Sequence, residues 1–137
     1  MLYCALVFSQ SQEDLSVTVK SARGATRMTS QQPNPIFACN TQAIPQEFRA
    51  THQANTERIF ASVQEVQELQ TGYALRLPNE TDLLQTIVAF ISYERLCCPF
   101  FRFGVEVEPE QGPVWLRLTG AVDVKPFLQS QGFSPSR

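Results

Sequence analysis

Apolar and polar residues alternate along two pairs of short segments, which is the pattern of β-hairpins. The first pair spans residues 63–77 and carries a turn signal at Thr71-Gly72. The second pair spans residues 101–119, and its turn lies between Pro109 and Pro113. Because successive side chains of a strand point to opposite faces, each hairpin is expected to present one apolar face to a core.

A helical period precedes each hairpin. The first helix is predicted from about Pro45 to about Ala61, since a proline in the first turn loses no hydrogen bond. One face of this helix carries three polar or aromatic side chains and one aliphatic side chain: Phe48, His52, Asn55 and Ile59.

The second helix has the most regular apolar stripe in the chain. Asn79 or Thr81 can cap its start. Pro99 disfavours helical geometry at Cys98, so the helix is expected to stop at about Cys97. Its stripe consists of Leu83, Ile87, Phe90 and Ile91, with Glu94 on the same face. A short third helix is predicted over about residues 123–129.

The resulting order, α-β-β-α-β-β-α, predicts an α+β fold with a mostly antiparallel four-stranded sheet and helices on one face. Residues 36–131 are expected to form a single domain, and residues 132–137 a frayed C-terminus. Residues 1–35 are polar and proline-rich near their end, which predicts a flexible arm or an upstream extension before Met28. A short strand at residues 2–8 is the alternative.

Composition restricts the class of protein. A 137-residue chain with 43% hydrophobic and 18% charged residues is expected to be globular rather than disordered. Its net charge of −2, without a Lys/Arg run, argues against nucleic-acid or anionic-membrane binding. Neither a signal-peptide pattern nor a membrane-spanning apolar stretch is evident. A cytoplasmic protein with four reduced cysteines is therefore expected.

Glu94 departs from the pattern of its helix because a carboxylate occupies the apolar stripe. A buried carboxylate is costly unless it is paired or neutralised. Cys97 and Cys98 follow at i+3 and i+4, so both thiols are expected near its side chain. His52 presents a polar group on the apolar face of the first helix, and Cys39 precedes that helix.

These residues form one candidate metal site: Cys39, His52, Glu94, Cys97 and Cys98. Thiolates suit Zn²⁺, Cu(I) and heavier thiophilic ions, and His52 or Glu94 would complete the coordination. The predicted function is a small binding or sensor protein whose thiol-rich site holds zinc or another thiophilic ion. Adjacent cysteines are unusual for zinc, which normally uses cysteines two to four residues apart.

Two alternatives stay open at this point. In the first, the protein is a non-enzymatic interaction module in which Glu94, Cys97 and Cys98 are structural, with Glu94 paired to an arginine such as Arg49, Arg58 or Arg102. In the second, the chain is a cysteine-dependent enzyme or a redox protein, with a Cys97–Cys98 disulfide as one possible switch. No catalytic motif is present, so a binding protein is favoured over an enzyme.

The second face of the hairpins also carries candidate binding residues. Trp115 points opposite to its apolar neighbours, which indicates a partner surface, a second core or a homodimer face. Three arginines lie on the same face of their strands, where they form either a small basic patch for an anionic ligand or an ordinary solvated surface: Arg76, Arg102 and Arg117.

Several motifs together resemble an uncharacterised family of small bacterial proteins. They are Ala38-Cys39-Asn40, Ala43-Ile44-Pro45 with Arg49 and His52, Gly72-Tyr73, Glu94-Arg95-x-Cys97-Cys98-Pro99-Phe100, and Gly112-Pro113-x-Trp115-Leu116-Arg117-Leu118-Thr119-Gly120. The resemblance covers about residues 37–128 and implies no particular activity. The match of Cys39 and His52 to its motifs is the reason for counting them among the ligands. The Cys-Cys-Pro-Phe segment is also similar to segments of proteins associated with heavy-metal resistance, which implies metal binding.

Overall fold

The computed structural model describes residues 38–135, which form an α+β domain with the predicted order of elements. The predicted fold class is confirmed. In chain order the elements are a short 3₁₀ helix Thr41–Ala43, α1 Gln46–Ala61, β1 Glu65–Leu69, β2 Gly72–Leu77, α2 Thr81–Cys97, β3 Phe101–Val107, β4 Val114–Gly120 and α3 Lys125–Ser130.

The four strands form one antiparallel sheet in the order β1-β2-β4-β3. Helix α2 carries the chain from β2 past β4 to the far edge of the sheet, so β4 returns between β2 and β3. Leu116 of β4 is therefore flanked by Leu75 of β2 and Val105 of β3. The two edge strands of the sheet are β1 and β3.

The core lies between the helices and one face of the sheet. Its buried members from the helices and strands are Ile59, Tyr73, Leu75, Leu77, Leu83, Ile87, Phe90, Val114, Leu116, Leu118 and Leu128. The alternation of the second hairpin predicted Val105 and Val107 on the core face as well, but they lie at the edge of the sheet and are 40% and 49% exposed. Phe48 departs from the predicted buried face of α1, because it is 40% exposed and stacks on Tyr93 at a ring distance of 5.0 Å. Phe133, in the predicted C-terminal tail, packs against Phe60 and Tyr73.

The observed element ends differ from the predictions by one or two residues. Pro45 precedes α1 as its N-cap, because its extended backbone (ψ 138°) excludes it from the first turn. Gly120 belongs to β4, where it pairs with Phe101. Asn79 and Thr81 do not cap α2, whose N-cap is Glu80, and Asn79 donates to the Gly112 carbonyl.

The predicted arm at residues 1–35, the alternative strand at residues 2–8 and the extension before Met28 lie outside the described residues and stay predictions. No helix between residues 38 and 135 has both the length and the apolar character needed to cross a bilayer.

Candidate thiol site

The candidate site contains three sulfur atoms, those of Cys39, Cys97 and Cys98. Two of them come from the end of α2. Cys97 is the last residue of the helix, and Cys98 leaves helical geometry with φ −123° and ψ 73°. Pro99 accounts for this break, since a residue before proline is driven out of the helical region. The break brings Cys98 Sγ to 3.7 Å from Cys97 Sγ, and both residues are 0% exposed. The local sequence thus places adjacent sulfurs on the same side of the chain.

The third sulfur comes from the segment before α1. Asn40 N donates a 2.8 Å hydrogen bond to the Cys97 carbonyl, which fixes this segment against the C-terminal end of α2. Such a bond also satisfies one of the carbonyls that a helix end leaves without an internal partner. Cys39, one residue earlier, is thereby held beside Cys98 and is half-buried.

A small clamp holds the Cys39 segment in shape. The Asn40 side chain accepts a hydrogen bond from Gln42 N and so caps the 3₁₀ helix. From α1, Arg49 donates to the Ile44 carbonyl at 2.9 Å and to the Gln42 carbonyl at 3.3 Å. Ile44 is 1% exposed and packs with Cys97 and Cys98. These roles of Asn40, Ile44 and Arg49 were not predicted from the sequence, although all three residues belong to the motifs quoted above.

Cys39 and Cys98 are joined by a disulfide, with a sequence separation of 59 and 4.7 Å between their Cα atoms. The expectation of four reduced cysteines is therefore wrong for these two residues in this structure. The reason is spatial: the clamp brings their Cα atoms into the range that a disulfide can bridge. Cys97 keeps a free, buried thiol. The alternative Cys97–Cys98 bond is absent, since those sulfurs are 3.7 Å apart.

The three sulfurs form a group with metal-ligand spacing. Within residues 38–135, the Sγ atoms of Cys39, Cys97 and Cys98 all lie within 4.8 Å of one another. These are three of the five predicted ligands, and they could hold a metal ion once the disulfide is reduced. Two of them are fully buried, so the site lies inside the domain and not on an exposed loop.

His52 and Glu94, the other two predicted ligands, form a pair next to this group. His52 Nε2 lies 2.7 Å from Glu94 Oε2, and their side chains are 5% and 8% exposed. The His52 ring stacks on Phe90 and meets Tyr93 edge-on. Nδ1 of His52 is buried and has no hydrogen-bond partner in the described part of the chain. The compensation that Glu94 requires is thus provided in part by His52.

Two of the arginines considered as partners of Glu94, Arg49 and Arg58, make other contacts. Arg49 binds the carbonyls of the clamp, as described above. Arg58 donates to the Thr86 hydroxyl and to the carboxylate of Asp82, which joins α1 to α2 at the surface.

A pocket connects the two parts of the site. It measures about 360 Å³ including its open mouth, and both Cys39 and Glu94 line it. Thr56 adds a hydroxyl, which donates to the His52 carbonyl at 2.8 Å. The remaining lining is mostly apolar: Phe60, Phe90, Phe101, Leu118, Phe127, Leu128 and Gln131.

Two surface groups away from the sulfurs have shifted pKa values. The hydrogen bond from Arg58 lowers the pKa of Asp82 below its ordinary 3.8. The hydrogen bond to Glu68 raises the pKa of Lys125 above its ordinary 10.5. Both shifts favour the charged form, as expected for a group beside an opposite charge.

No protein-family model, curated protein or solved structure matches this sequence. A functional assignment therefore depends on the geometry of the site.

Proposed function

We propose that this protein binds one thiophilic metal ion through the thiolates of Cys39, Cys97 and Cys98. The observation that carries the proposal is the group of three sulfurs within 4.8 Å of one another. Thiolates are soft ligands that select ions such as Zn²⁺ and Cu(I). Burial of two of the sulfurs favours retention of the ion, because solvent has little access to the bonds.

The sulfur spacing supports binding to a single ion. Two thiolates on a tetrahedral Zn²⁺, at Zn–S distances of about 2.3 Å, lie about 3.8 Å apart. Cys97 Sγ and Cys98 Sγ are already 3.7 Å apart. The objection to adjacent cysteines as ligands applies to a regular helix or strand, and the break at Cys98 removes it here. Only the Cys39 sulfur must move away from Cys98, which reduction of the disulfide permits.

Glu94 is our candidate for a fourth ligand, directly or through a water molecule. Its side chain lines the same pocket as Cys39 and lies one helical turn before Cys98. His52 would then hold the carboxylate in place through the 2.7 Å contact and would not bind the ion itself. Hydrogen bonds of this kind orient ligating groups and affect metal affinity.

Metal binding would require the reduced protein, because the Cys39–Cys98 disulfide uses two of the three ligands. A low-molecular-weight disulfide, RSSR, can form this bond by exchange. The Cys39 thiolate attacks RSSR, which gives a mixed disulfide and one RS⁻. The Cys98 thiolate then attacks the mixed disulfide at the Cys39 sulfur and releases a second RS⁻. Two electrons pass to RSSR, two RSH form after protonation, and the metal ion leaves.

Cys39 is the sulfur expected to react first. It is half-buried, whereas Cys97 and Cys98 are fully buried. The metal-bound state is the one expected in a reducing compartment such as the cytoplasm, where thiols stay reduced. In this proposal the protein senses or stores a thiophilic ion in a redox-dependent way.

The motif resemblance supports the same site. Three of the quoted segments contribute to the sulfur group, the clamp or the His52–Glu94 pair. They are Ala38-Cys39-Asn40, Ala43-Ile44-Pro45 with Arg49 and His52, and residues 94–100. We propose that these segments are the signature of the metal site.

The test is a Zn²⁺ titration of the reduced, metal-free full chain against a colorimetric chelator. One equivalent of zinc per chain is expected. Cys39→Ser, Cys97→Ser and Cys98→Ser should each weaken binding at least 100-fold. Cys4→Ser is the matched control, since it removes a thiol that the proposal does not use, and it should bind as the wild type does. Addition of oxidised glutathione to the zinc-loaded wild type should release the ion.

The contradicting result is reduced wild-type protein that binds no stoichiometric zinc, or binding that survives all three substitutions. The first would leave the cysteines with a structural role in an interaction module. If a serine variant fails to fold, Co²⁺ in the wild type gives an independent measurement, because thiolate-to-cobalt charge-transfer absorption increases with the number of sulfur ligands. Absence of this absorption would also overturn the proposal.

A further inference from the structure

Strand β3 is an edge of the sheet and carries exposed apolar side chains. Val105 and Val107 lie on the helix side of the sheet and are 40% and 49% exposed. A long edge strand with exposed apolar residues is a template for pairing with another chain, and proteins usually protect such an edge. No strand of the described residues covers it.

Along β3, the backbone N–H and C=O groups point alternately toward β4 and toward the open edge, and one observed hydrogen bond identifies which residues face β4. Glu108 N donates to Pro113 O, which makes this pair a hydrogen-bonded one in the β3–β4 register. Even-numbered residues of β3 therefore direct their backbone groups toward β4. Phe103, Val105 and Val107 direct theirs toward the open edge. Phe101 N is used locally, since it donates to the Cys98 carbonyl.

The sequence of β3 is complementary to itself when read in the opposite direction. Antiparallel pairing of two copies, centred on Gly104, would place Phe101 opposite Val107 and Phe103 opposite Val105. It would also place Arg102 opposite Glu106, twice, on the other face of the sheet, where Glu106 already pairs with Arg117 of β4 and would be shared between the two arginines. The arginine–glutamate pairs fall at non-hydrogen-bonded positions, where facing side chains are closest. A shift of one residue in register would destroy both kinds of complementarity.

Helix α2 extends the same apolar surface. Its side toward α1 carries Asp82 and Thr86, which bind Arg58. Val88 lies on the side turned away from α1 and is 57% exposed. The contact between the Phe90 and Phe103 rings places α2 over the β3 half of the sheet. Val88, with the half-buried Leu84 and Ile91, therefore flanks the β3 edge.

We propose that β3 is the interface of a symmetric homodimer, in which two copies pair antiparallel about Gly104 and form a continuous eight-stranded sheet. The two-fold axis requires a self-complementary patch, and β3 supplies one in both charge and apolar residues. Up to six backbone hydrogen bonds would join the two strands. The valines of the edge and Val88 would be covered by the second copy. This interface does not involve the sulfur group.

Val105→Pro tests the interface without disturbing the monomer. Val105 N–H points to the open edge, so its loss removes no hydrogen bond to β4. Sedimentation equilibrium of the reduced, metal-free full chain should give twice the 15.4 kDa monomer mass for the wild type. Val105→Pro should give a monomer with unchanged circular dichroism. The same measurement on Glu65→Arg, on the opposite edge strand β1, is the control and should give a dimer.

A charge swap tests the register. Arg102→Glu places two glutamates opposite each other and should weaken the dimer at least 10-fold. The double variant Arg102→Glu/Glu106→Arg restores opposite charges across the axis and should recover most of the affinity. A wild type that stays monomeric at about 100 μM, a concentration at which a dimer with a Kd of about 1 μM would be mostly formed, would overturn the proposal. So would a dimer that persists unchanged in both Val105→Pro and Arg102→Glu.

Discussion

Glu94 of α2 and His52 of α1 form a buried pair, with 2.7 Å between Oε2 and Nε2. The pair explains how a carboxylate occupies the apolar stripe of α2. It also joins α1 to α2 about one helical turn before the two cysteines at the end of α2. The stacking of His52 on Phe90 keeps the imidazole in this position.

Truncation of either partner should destabilise the fold strongly. Glu94→Ala leaves His52 buried without its partner, and a loss of about 3 kcal/mol in the free energy of unfolding is expected. Urea denaturation of the reduced protein measures it. Glu57→Ala is the control, because the exposed Gln53–Glu57 contact on α1 should contribute less than about 0.5 kcal/mol. Equal, small losses for both variants would show that the pair does not stabilise the domain.

The disulfide should stabilise the oxidised protein through its long loop. A cross-link over 59 residues restricts the unfolded chain by about 4 kcal/mol in the chain-entropy model. Cys39→Ser should therefore lower the unfolding free energy of the oxidised, metal-free protein by about that amount. Cys97→Ser keeps the Cys39–Cys98 bond and serves as the control. Indistinguishable stabilities for wild type and Cys39→Ser under oxidising conditions would contradict the assignment of the bond.

Acid should remove the contribution of Asp82. Its pKa in the folded state is lowered by Arg58, so its stabilising effect is present above the ordinary value of 3.8 and is lost as the pH falls through the folded-state pKa. Asp82→Asn should be less stable than the wild type at neutral pH, and the difference should disappear in acid. The effect should be small and should weaken in about 1 M salt, because the side chains of Arg58 and Asp82 are 43% and 68% exposed. A difference independent of pH would mean that the charge of Asp82 is not responsible.

Gly72 should tolerate no side chain. A Cβ there would overlap the backbone carbonyl oxygen of Leu118, which belongs to the neighbouring strand and cannot move aside. Gly72→Ala should cost on the order of 3 kcal/mol, as thermal or urea unfolding would show. Gly104→Ala is the control, since its Cβ would meet only the Arg117 side chain at 3.5 Å, and both variants are compared in the Val105→Pro background so that the proposed dimer does not contribute. A larger loss at Gly104 than at Gly72 would be inconsistent with the packing described.

The fold was predictable because its elements are encoded locally. Strand alternation in residues 101–107 and 114–118 and the helical stripe around Ile87 each need only a short window of sequence. Pro99 likewise fixes the end of α2 by itself. The sheet order was not predictable from these signals, because the position of β4 between β2 and β3 depends on contacts between distant elements.

The sequence was sufficient to identify the residues of the candidate site. It was not sufficient to predict which of them bond to one another. Glu94 and His52 attracted attention because polar groups occupy apolar faces, and they contact each other. The pairing of Cys39 with Cys98 and the clamp by Arg49 join residues that periodicity treats as unrelated. Whether the five residues hold a metal stays a prediction.

The most direct test of the account is zinc X-ray absorption spectroscopy on the reduced wild-type protein loaded with one equivalent of Zn²⁺. We expect three sulfur neighbours at about 2.3 Å and one lighter ligand, oxygen or nitrogen, at about 2.0–2.2 Å. A shell made only of oxygen and nitrogen would contradict it, because the three buried sulfurs would then have no part in binding the metal.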